Sequence, residues 1–282
     1  MRKLAVLAVM ALLTACDDNP ARSTARPAHE GDLQVFSSAG RDSALAAFGD
    51  RTVLRGNLTI AQTDLSDLRG FESLTRVEGD VVIWNNADLV SLSGLQGLRE
   101  ITRSLKIEFN SQLAGLDGLD SLVSIGSDLD SRGDTISAAG ISRIAHVTEG
   151  LILSANTDLR SLDGLSSLRF VGGGISIIGE TELQSLQGLG QLERIDGSLD
   201  IWFCPRLPSL DGLQSLQRVT RFFEVSGNAA LHDISALHQV KFVGAGFIVT
   251  NNPQLSTVSV ARLIGRLQEN GFAGSVTVAN NG

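Results

Sequence analysis

Apolar and polar positions alternate in a short pattern that recurs along most of the chain. Each copy starts with a residue that is often glycine, and apolar residues follow two and four positions later, as in Gly56, Leu58 and Ile60. This alternation predicts a short strand with one buried face. From position 56 the copies start 23, 24, 24, 22, 24, 24, 24 and 24 residues apart, a regularity typical of a solenoid. The copies start at Gly56, Gly79, Arg103, Ser127, Glu149, Gly173, Gly197, Arg221 and Ala245.

Each strand is followed by leucines at about every third position. In one repeat these are Leu159, Leu162, Leu165 and Leu168. That spacing favours corners and 3₁₀ turns over a full α-helix. One coil cannot bury its apolar side alone, whereas stacked coils bury a continuous column. We therefore predict a mainly β, right-handed single-chain β-solenoid over 31–282, with about ten coils and a length of roughly 48 Å.

A polar column follows the strands, three residues after the second apolar position. Asparagine at such a bend can hydrogen-bond to the backbone of its own and neighbouring coils. Because Cys204 falls in this column, we interpret it as a buried structural thiol. The repeat 127–148 is the most degenerate, since Ser131 occupies an apolar position, and we expect a kink there. The column contains Thr63, Asn86, Asn110, Asp134, Asn156, Glu180, Cys204, Asn228, Asn252 and Asn281.

Small helices are predicted as caps at both ends of the solenoid. Residues 42–48 have the pattern of a short amphipathic helix with Asp42 as its N-cap. Residues 260–269 predict a second helix, closed by Asn270 and Gly271. A last strand follows around Val276 and Val278.

Two segments carry a resemblance to a known family. The string of apolar, glycine and asparagine positions over 77–89 and 243–255 resembles the receptor L-domain, a leucine-rich-repeat-like solenoid. This resemblance spans about 31–282 and implies a non-enzymatic extracellular or wall-associated recognition module. The receptor forms carry cysteines around their repeats, and this chain lacks those cysteines. The resemblance therefore implies nothing about which ligand this chain binds.

The N-terminus resembles the signal of a bacterial lipoprotein. Arg2 and Lys3 precede an apolar run over 4–15, which is too short to cross a bilayer comfortably. The run ends in Leu-Thr-Ala-Cys, similar to a lipobox, which implies lipidation at Cys16. We expect a signal peptide over 1–16, a flexible tether over 17–30, and a protein anchored by lipid in the bacterial cell envelope, periplasmic or at the cell surface. An ordinary secretory signal is the alternative.

Composition excludes several classes of function. A net charge of −8 gives no electrostatic drive for nucleic-acid binding. Two cysteines are too few for a disulfide framework, and the four histidines lack the spacing of metal ligands. The glycine run over 172–174 lacks the lysine and the helix of a phosphate-binding loop. We therefore expect no nucleic-acid partner, no cofactor and no metal.

Large apolar side chains occupy positions that the strand alternation directs outward. Both tryptophans of the protein fall in one outward column, five coils apart, which corresponds to roughly 24 Å. An apolar patch rimmed by charges favours a contact with a protein or an envelope glycan. Two alternatives are that a flanking segment covers these side chains, or that they only improve packing between strands. The candidate contact residues are Trp84, Phe109, Arg132, Ile178, Trp202 and Phe203.

The sequence is also compatible with two other functions. Asp200 and Glu224 share an outward column in adjacent coils, about 5 Å apart, a spacing that suits a polysaccharide-active enzyme. A purely structural envelope protein is the other alternative. Residues 132–134 spell Arg-Gly-Asp, a triplet too common to predict adhesion. The strand face, rather than catalysis, is the favoured hypothesis.

Overall fold

The computed structural model describes residues 28–134 and 140–282. The predicted signal peptide, Cys16 and tether residues 17–27 lie outside the described residues. The described chain is a parallel β-solenoid, in which each coil contributes one strand to each of two sheets. The predicted fold class is confirmed: residues 28–134 and 140–282 are mainly β, with two α-helices and short 3₁₀ turns.

Eleven strands of three to five residues form the first sheet, which we call the long-strand sheet. Strand order along this sheet follows chain order, and all pairs are parallel. Its strands are β2 (Leu33–Val35), β4 (Leu58–Ala61), β6 (Val81–Trp84), β8 (Leu105–Glu108), β10 (Leu129–Arg132), β12 (Leu151–Ser154), β14 (Ile175–Ile178), β16 (Leu199–Trp202), β18 (Phe222–Ser226), β20 (Gly246–Thr250) and β21 (Ser275–Ala279).

Ten strands of two or three residues form the second sheet, the short-strand sheet. The repeat pattern did not predict this sheet, because two-residue strands leave no alternation to recognise. Its strands are β1 (His29–Glu30), β3 (Val53–Arg55), β5 (Arg76–Val77), β7 (Glu100–Ile101), β9 (Ser124–Ile125), β11 (His146–Val147), β13 (Phe170–Val171), β15 (Arg194–Ile195), β17 (Arg218–Val219) and β19 (Phe242–Val243).

One continuous apolar core fills the space between the sheets and the corners. The two inward positions of each long strand are buried in β2 to β20, and the leucines of the corners are buried beside them. Among the described corners, three form 3₁₀ helices, at Asp163–Leu165, Gln187–Leu189 and Ser235–Gln239. Glycine is required at Gly188, since a Cβ there would lie 1.5 Å from the carbonyl oxygen of Leu162. The coils are thus stacked too closely for a side chain at this corner.

The predicted polar column is a buried hydrogen-bonded ladder. Asn86 shows the common pattern: its Oδ1 accepts from the Thr63 amide at 3.0 Å, and its Nδ2 donates to Asn110 Oδ1 at 3.0 Å and to the Ile60 carbonyl at 3.1 Å. Asn86 therefore joins the coils on both sides of its own. Cys204 is buried in the same column, and burial raises the pKa of its thiol to about 12.

The degenerate repeat does not interrupt the sheet. β10 pairs over all four of its residues with both β8 and β12. Ser131, which replaces an apolar residue, is buried, and its Oγ lies 3.2 Å from Asn156 Oδ1 and 3.4 Å from Asp134 Oδ2. A serine is therefore accommodated inside because the ladder provides its hydrogen bonds.

Both caps are helices that begin earlier than predicted. Helix α1 spans Ser38–Phe48, and Ser37 is its N-cap, so the prediction of Asp42 as N-cap is wrong. Asp64 of the next coil also accepts hydrogen bonds from the amide and hydroxyl of Ser38, a long-range cap that local sequence does not reveal. Helix α2 spans Thr257–Glu269 and ends at Asn270 as predicted.

The solenoid begins earlier than the predicted tether boundary at residue 30. Strand β1 lies at His29–Glu30, where it pairs with β3. His29 also contacts Phe48 of α1, with ring centroids 6.2 Å apart. The last residues of the predicted tether are therefore part of the fold. Within 28–134 and 140–282, no helix is long and apolar enough to span a membrane.

Candidate functional site

The candidate site is the outward surface of the long-strand sheet, here called the strand face. Register along the sheet places the outward position of each strand beside its equivalent in the next coil, as with Ala61 and Trp84 or Ile178 and Trp202. Trp84 is 36% exposed, and Trp202 is half-buried. The two indoles lie in one column separated by five strand steps, or roughly 24 Å.

Phe109 and Phe203 lie just after their strands and are exposed near the two tryptophans. They are 52% and 60% exposed. Both have a positive φ, of 59° and 55°. In the next coil a Cβ at Gly133 would lie 2.7 Å from the Phe109 ring, and one at Gly227 would lie 2.6 Å from the Phe203 ring. Each ring is thus supported on one side by a glycine backbone and open to solvent on the other.

Trp202 sits between Ile178 and Ser226 of the adjacent strands. Its Nε1 is buried and has no hydrogen-bond partner among the described residues. A buried donor without a partner costs roughly 1–3 kcal/mol. The indole N–H at this position therefore carries a local stability cost.

Arg132 is exposed on the strand face but is not a free charge. Its Nε donates to Asp130 Oδ1 at 2.7 Å. Asp130, an outward residue of β10, is buried beneath Arg132. Asp134 of the Arg-Gly-Asp triplet is 1% exposed inside the ladder. The triplet therefore does not display its carboxylate.

Phe36 belongs to the same surface, and the sequence interpretation missed it. Leu33 pairs with Leu58, so Phe36, one residue beyond β2, falls in register with Ala61 in the column of Trp84. Phe36 is 53% exposed, whereas Ala61, between Phe36 and Trp84, is 4% exposed. The alternation of Leu33 and Val35 could have predicted this position, because extending it by one residue places Phe36 on the outward face.

The outward side of the short-strand sheet is chemically different. Arg76 forms an ion pair with Glu100 of the next coil. Arg194 pairs with Asp196 at 2.6 Å, and the guanidinium of Arg218 lies 3.8 Å from the ring centroid of Phe242. Each of these three arginines is thus held by a neighbouring side chain. By contrast, the large apolar side chains of Trp84, Phe109 and Phe203 on the strand face are exposed to solvent.

Asp200 and Glu224 are paired across β16 and β18, as the repeat register predicts. Burial, and then repulsion by Glu224, raises the pKa of Asp200 to about 6. Burial also raises the pKa of Glu224. One cavity beside α1 and another beside α2 do not include either carboxylate. The described residues contain no group of three or more histidine, cysteine, aspartate or glutamate side chains that could hold a metal.

Comparison of the sequence with protein-family models found no match, and comparison with curated proteins found none either. The function is therefore inferred from the geometry of the molecule. Its most distinctive surface is a parallel sheet with aromatic side chains exposed on one face.

Proposed function

We propose that this protein is a membrane-anchored, non-enzymatic recognition lipoprotein of the bacterial cell envelope. Its strand face would bind an envelope protein or glycan. The observation that carries this proposal is the exposure of Phe36, Trp84, Phe109 and Phe203 on one sheet face of an acidic chain. Exposed apolar patches of this kind, rimmed by polar groups, are typical of binding surfaces.

The rigidity of the solenoid supports this role. Every strand of the long-strand sheet from β4 to β20 is hydrogen-bonded on both sides, so the outward side chains are held at fixed spacing. A preorganised surface loses little conformational entropy when it binds. Aromatic side chains are also enriched among residues that dominate binding energy. The strand face therefore combines a fixed geometry with the residue types that contribute most to contacts.

The N-terminal sequence supports the proposed location. Lipidation at Cys16 would hold the solenoid at a membrane surface without a transmembrane helix. The resemblance to receptor L-domains supports recognition rather than catalysis, by analogy of fold. We also propose that the chain is a receptor L-domain-like, leucine-rich-repeat-like solenoid without the cysteines of the receptor forms.

Replacing Trp84 by alanine tests the proposed surface. With Cys16→Ser to keep the purified protein free of lipid, we expect saturable binding to isolated bacterial envelopes. Trp84→Ala should weaken this binding by about tenfold or more, because a central aromatic contact contributes on the order of 2 kcal/mol. Co-sedimentation with intact envelopes and with protein-free peptidoglycan measures the affinity and separates a protein partner from a glycan.

Phe242→Ala is the matched control, since Phe242 is an exposed aromatic residue of the short-strand sheet. It should leave the affinity unchanged. Equal binding by wild type and Trp84→Ala would remove the strand face from the account. Absence of any saturable binding would instead favour a purely structural envelope protein.

A further inference from the structure

A cleft of about 260 Å³ lies near the C-terminal end of the solenoid, away from the strand face. It opens between the 3₁₀ helix Ser235–Gln239 and α2. Four of its lining residues share one side of α2, because they are spaced three, four and seven positions from the first. The lining consists of Asp233, Ile234, Ser235, His238, Ser259, Arg262, Leu263 and Arg266.

Two arginines of this cleft lack a carboxylate partner. Arg262 is exposed and makes no hydrogen bond or ion pair with any residue in the described ranges. Arg266 is held by one bond, from its Nη2 to the Leu237 carbonyl at 2.8 Å, while its Nε is buried without a partner among the described residues. Like charges four positions apart destabilise a helix. An anion between these arginines would remove that repulsion.

Polar groups beside the arginines are also available. The hydroxyls of Ser235 and Ser259 line the cleft and make no hydrogen bond within the described parts of the chain. Asp233 is the one carboxylate of the lining, and its Oδ1 already accepts from the Ser235 amide at 2.7 Å. His238 Nδ1 lies 3.3 Å from the Ser235 carbonyl, a contact that holds the ring beside the cleft. The donors that the cleft offers are therefore the two guanidinium groups and the two hydroxyls.

The cavity beside α1 shows the contrasting arrangement. Its Arg41 pairs with Asp42 at 3.3 Å, and its Arg69 pairs with Asp67 at 3.4 Å. Asp64 of the same cavity accepts from Ser38. That cavity pairs its charges internally, whereas the cleft beside α2 leaves two guanidinium groups without a carboxylate partner in a chain that is acidic overall.

We propose that the cleft beside α2 binds a compact oxyanion, namely a phosphate, sulfate or carboxylate group on a molecule of about one sugar ring or smaller. Arg262 and Arg266 supply the charge, since guanidinium groups bind such oxyanions with paired hydrogen bonds. Ser235 and Ser259 supply neutral hydrogen bonds. The bond from Arg266 to the Leu237 carbonyl fixes one guanidinium before the ligand arrives. This site is separate from the strand face and does not depend on the function proposed for it.

Thermal unfolding of the full chain in four solutes tests the site. The solutes are sodium phosphate, sodium sulfate, sodium glucuronate and neutral glucose, all at one ionic strength adjusted with sodium chloride. Because a ligand that binds only the folded state raises the Tm, at least one oxyanion should raise it in a saturable manner. A larger effect of glucuronate indicates a sugar carboxylate, and a larger effect of phosphate or sulfate indicates a phosphoryl or sulfuryl group.

Arg262→Gln should weaken oxyanion binding by about tenfold or more, because it removes a charge-assisted hydrogen bond. Arg262 is exposed, so its removal leaves the fold intact. Arg221→Gln is the matched control, an exposed arginine outside the cleft, and it should bind as wild type does. The proposal is overturned if no oxyanion gives a saturable shift, if glucose shifts the Tm equally, or if Arg221→Gln weakens binding as much as Arg262→Gln.

Discussion

Replacing Asn156 by alanine is expected to lower the free energy of unfolding by on the order of 4 kcal/mol. Asn156 Oδ1 accepts from the Asp134 amide at 3.1 Å, and its Nδ2 donates to the Ser131 carbonyl at 3.2 Å and to Glu180 Oε1 at 3.0 Å. Alanine leaves these buried groups without partners. Each unsatisfied buried group costs roughly 1–3 kcal/mol, which is large against a typical total of about 5–15 kcal/mol.

Urea denaturation followed by circular dichroism measures this loss. Gln217→Ala is the control, because it removes an exposed side-chain amide and should change stability by less than about 0.5 kcal/mol. If the two variants were equally stable, the ladder would not be a structural element of the solenoid. The comparison isolates the ladder from the general effect of losing an amide.

The second large expected effect is that the protein becomes less stable as pH rises from about 5 to about 8. Burial raises the pKa of Asp134 to about 7 and that of Glu180 to about 8. The corresponding ordinary values are 3.8 and 4.5. The folded state binds these protons more tightly than the unfolded state does. Their contribution to the free energy of unfolding is therefore fully present at pH values below the ordinary pKa values. It is lost as pH rises through the folded-state values, with a slope of up to about 1.4 kcal/mol per pH unit for each group.

The ladder geometry explains why a protonated carboxyl is accommodated here. Asp134 Oδ1 accepts from the amide and side chain of Asn110, as an asparagine oxygen does in the other coils. The Ser131 hydroxyl lies near both Asp134 Oδ2 and Asn156 Oδ1 but has only one proton to donate. Protonated Asp134 supplies the second proton. Glu108 on the strand face adds repulsion against the ionised form.

Asp134→Asn and Glu180→Gln together should flatten the pH dependence between about pH 5 and 8 and raise stability at the upper end. Asp158→Asn is the control, as it neutralises an exposed carboxylate outside the ladder. Part of the slope should persist, because Asp200 also has a raised pKa, of about 6. Urea titrations at each pH measure the free energy. A slope unchanged in the double variant would show that the two buried acids are ionised in the folded protein.

The repeat period was sufficient to predict the solenoid, since each column of the sequence has one structural environment. Leu199 and Ile201 are inward because every equivalent pair is inward, and Asn156 is in the ladder for the same reason. The short-strand sheet was not predictable, because strands such as Arg194–Ile195 are too short to show alternation. Periodicity thus reveals which residues share a column and leaves open what each column contacts.

Contacts that depend on one particular neighbouring residue could not be predicted from the sequence. Asp130 lies in an outward column, yet Arg132 covers it. Helix α1 begins at Ser38 partly because Asp64 of another coil accepts its first amide. The cleft beside α2 joins Asp233 to Arg266, which are far apart in sequence. The last two contacts arise where the cap helices pack against the first and last coils, and the repeat no longer applies there.

Site-specific photo-crosslinking is the most direct test of the strand face as a binding surface. A photoreactive phenylalanine analogue replaces Ser154, which lies on the strand face between the two tryptophans, in the full chain expressed in bacterial cells. The same analogue at Gln217, an exposed position outside the long-strand sheet, serves as the reference. We expect a discrete crosslinked partner from position 154 and none from position 217. A partner captured only from position 217, or none from position 154, would contradict the account.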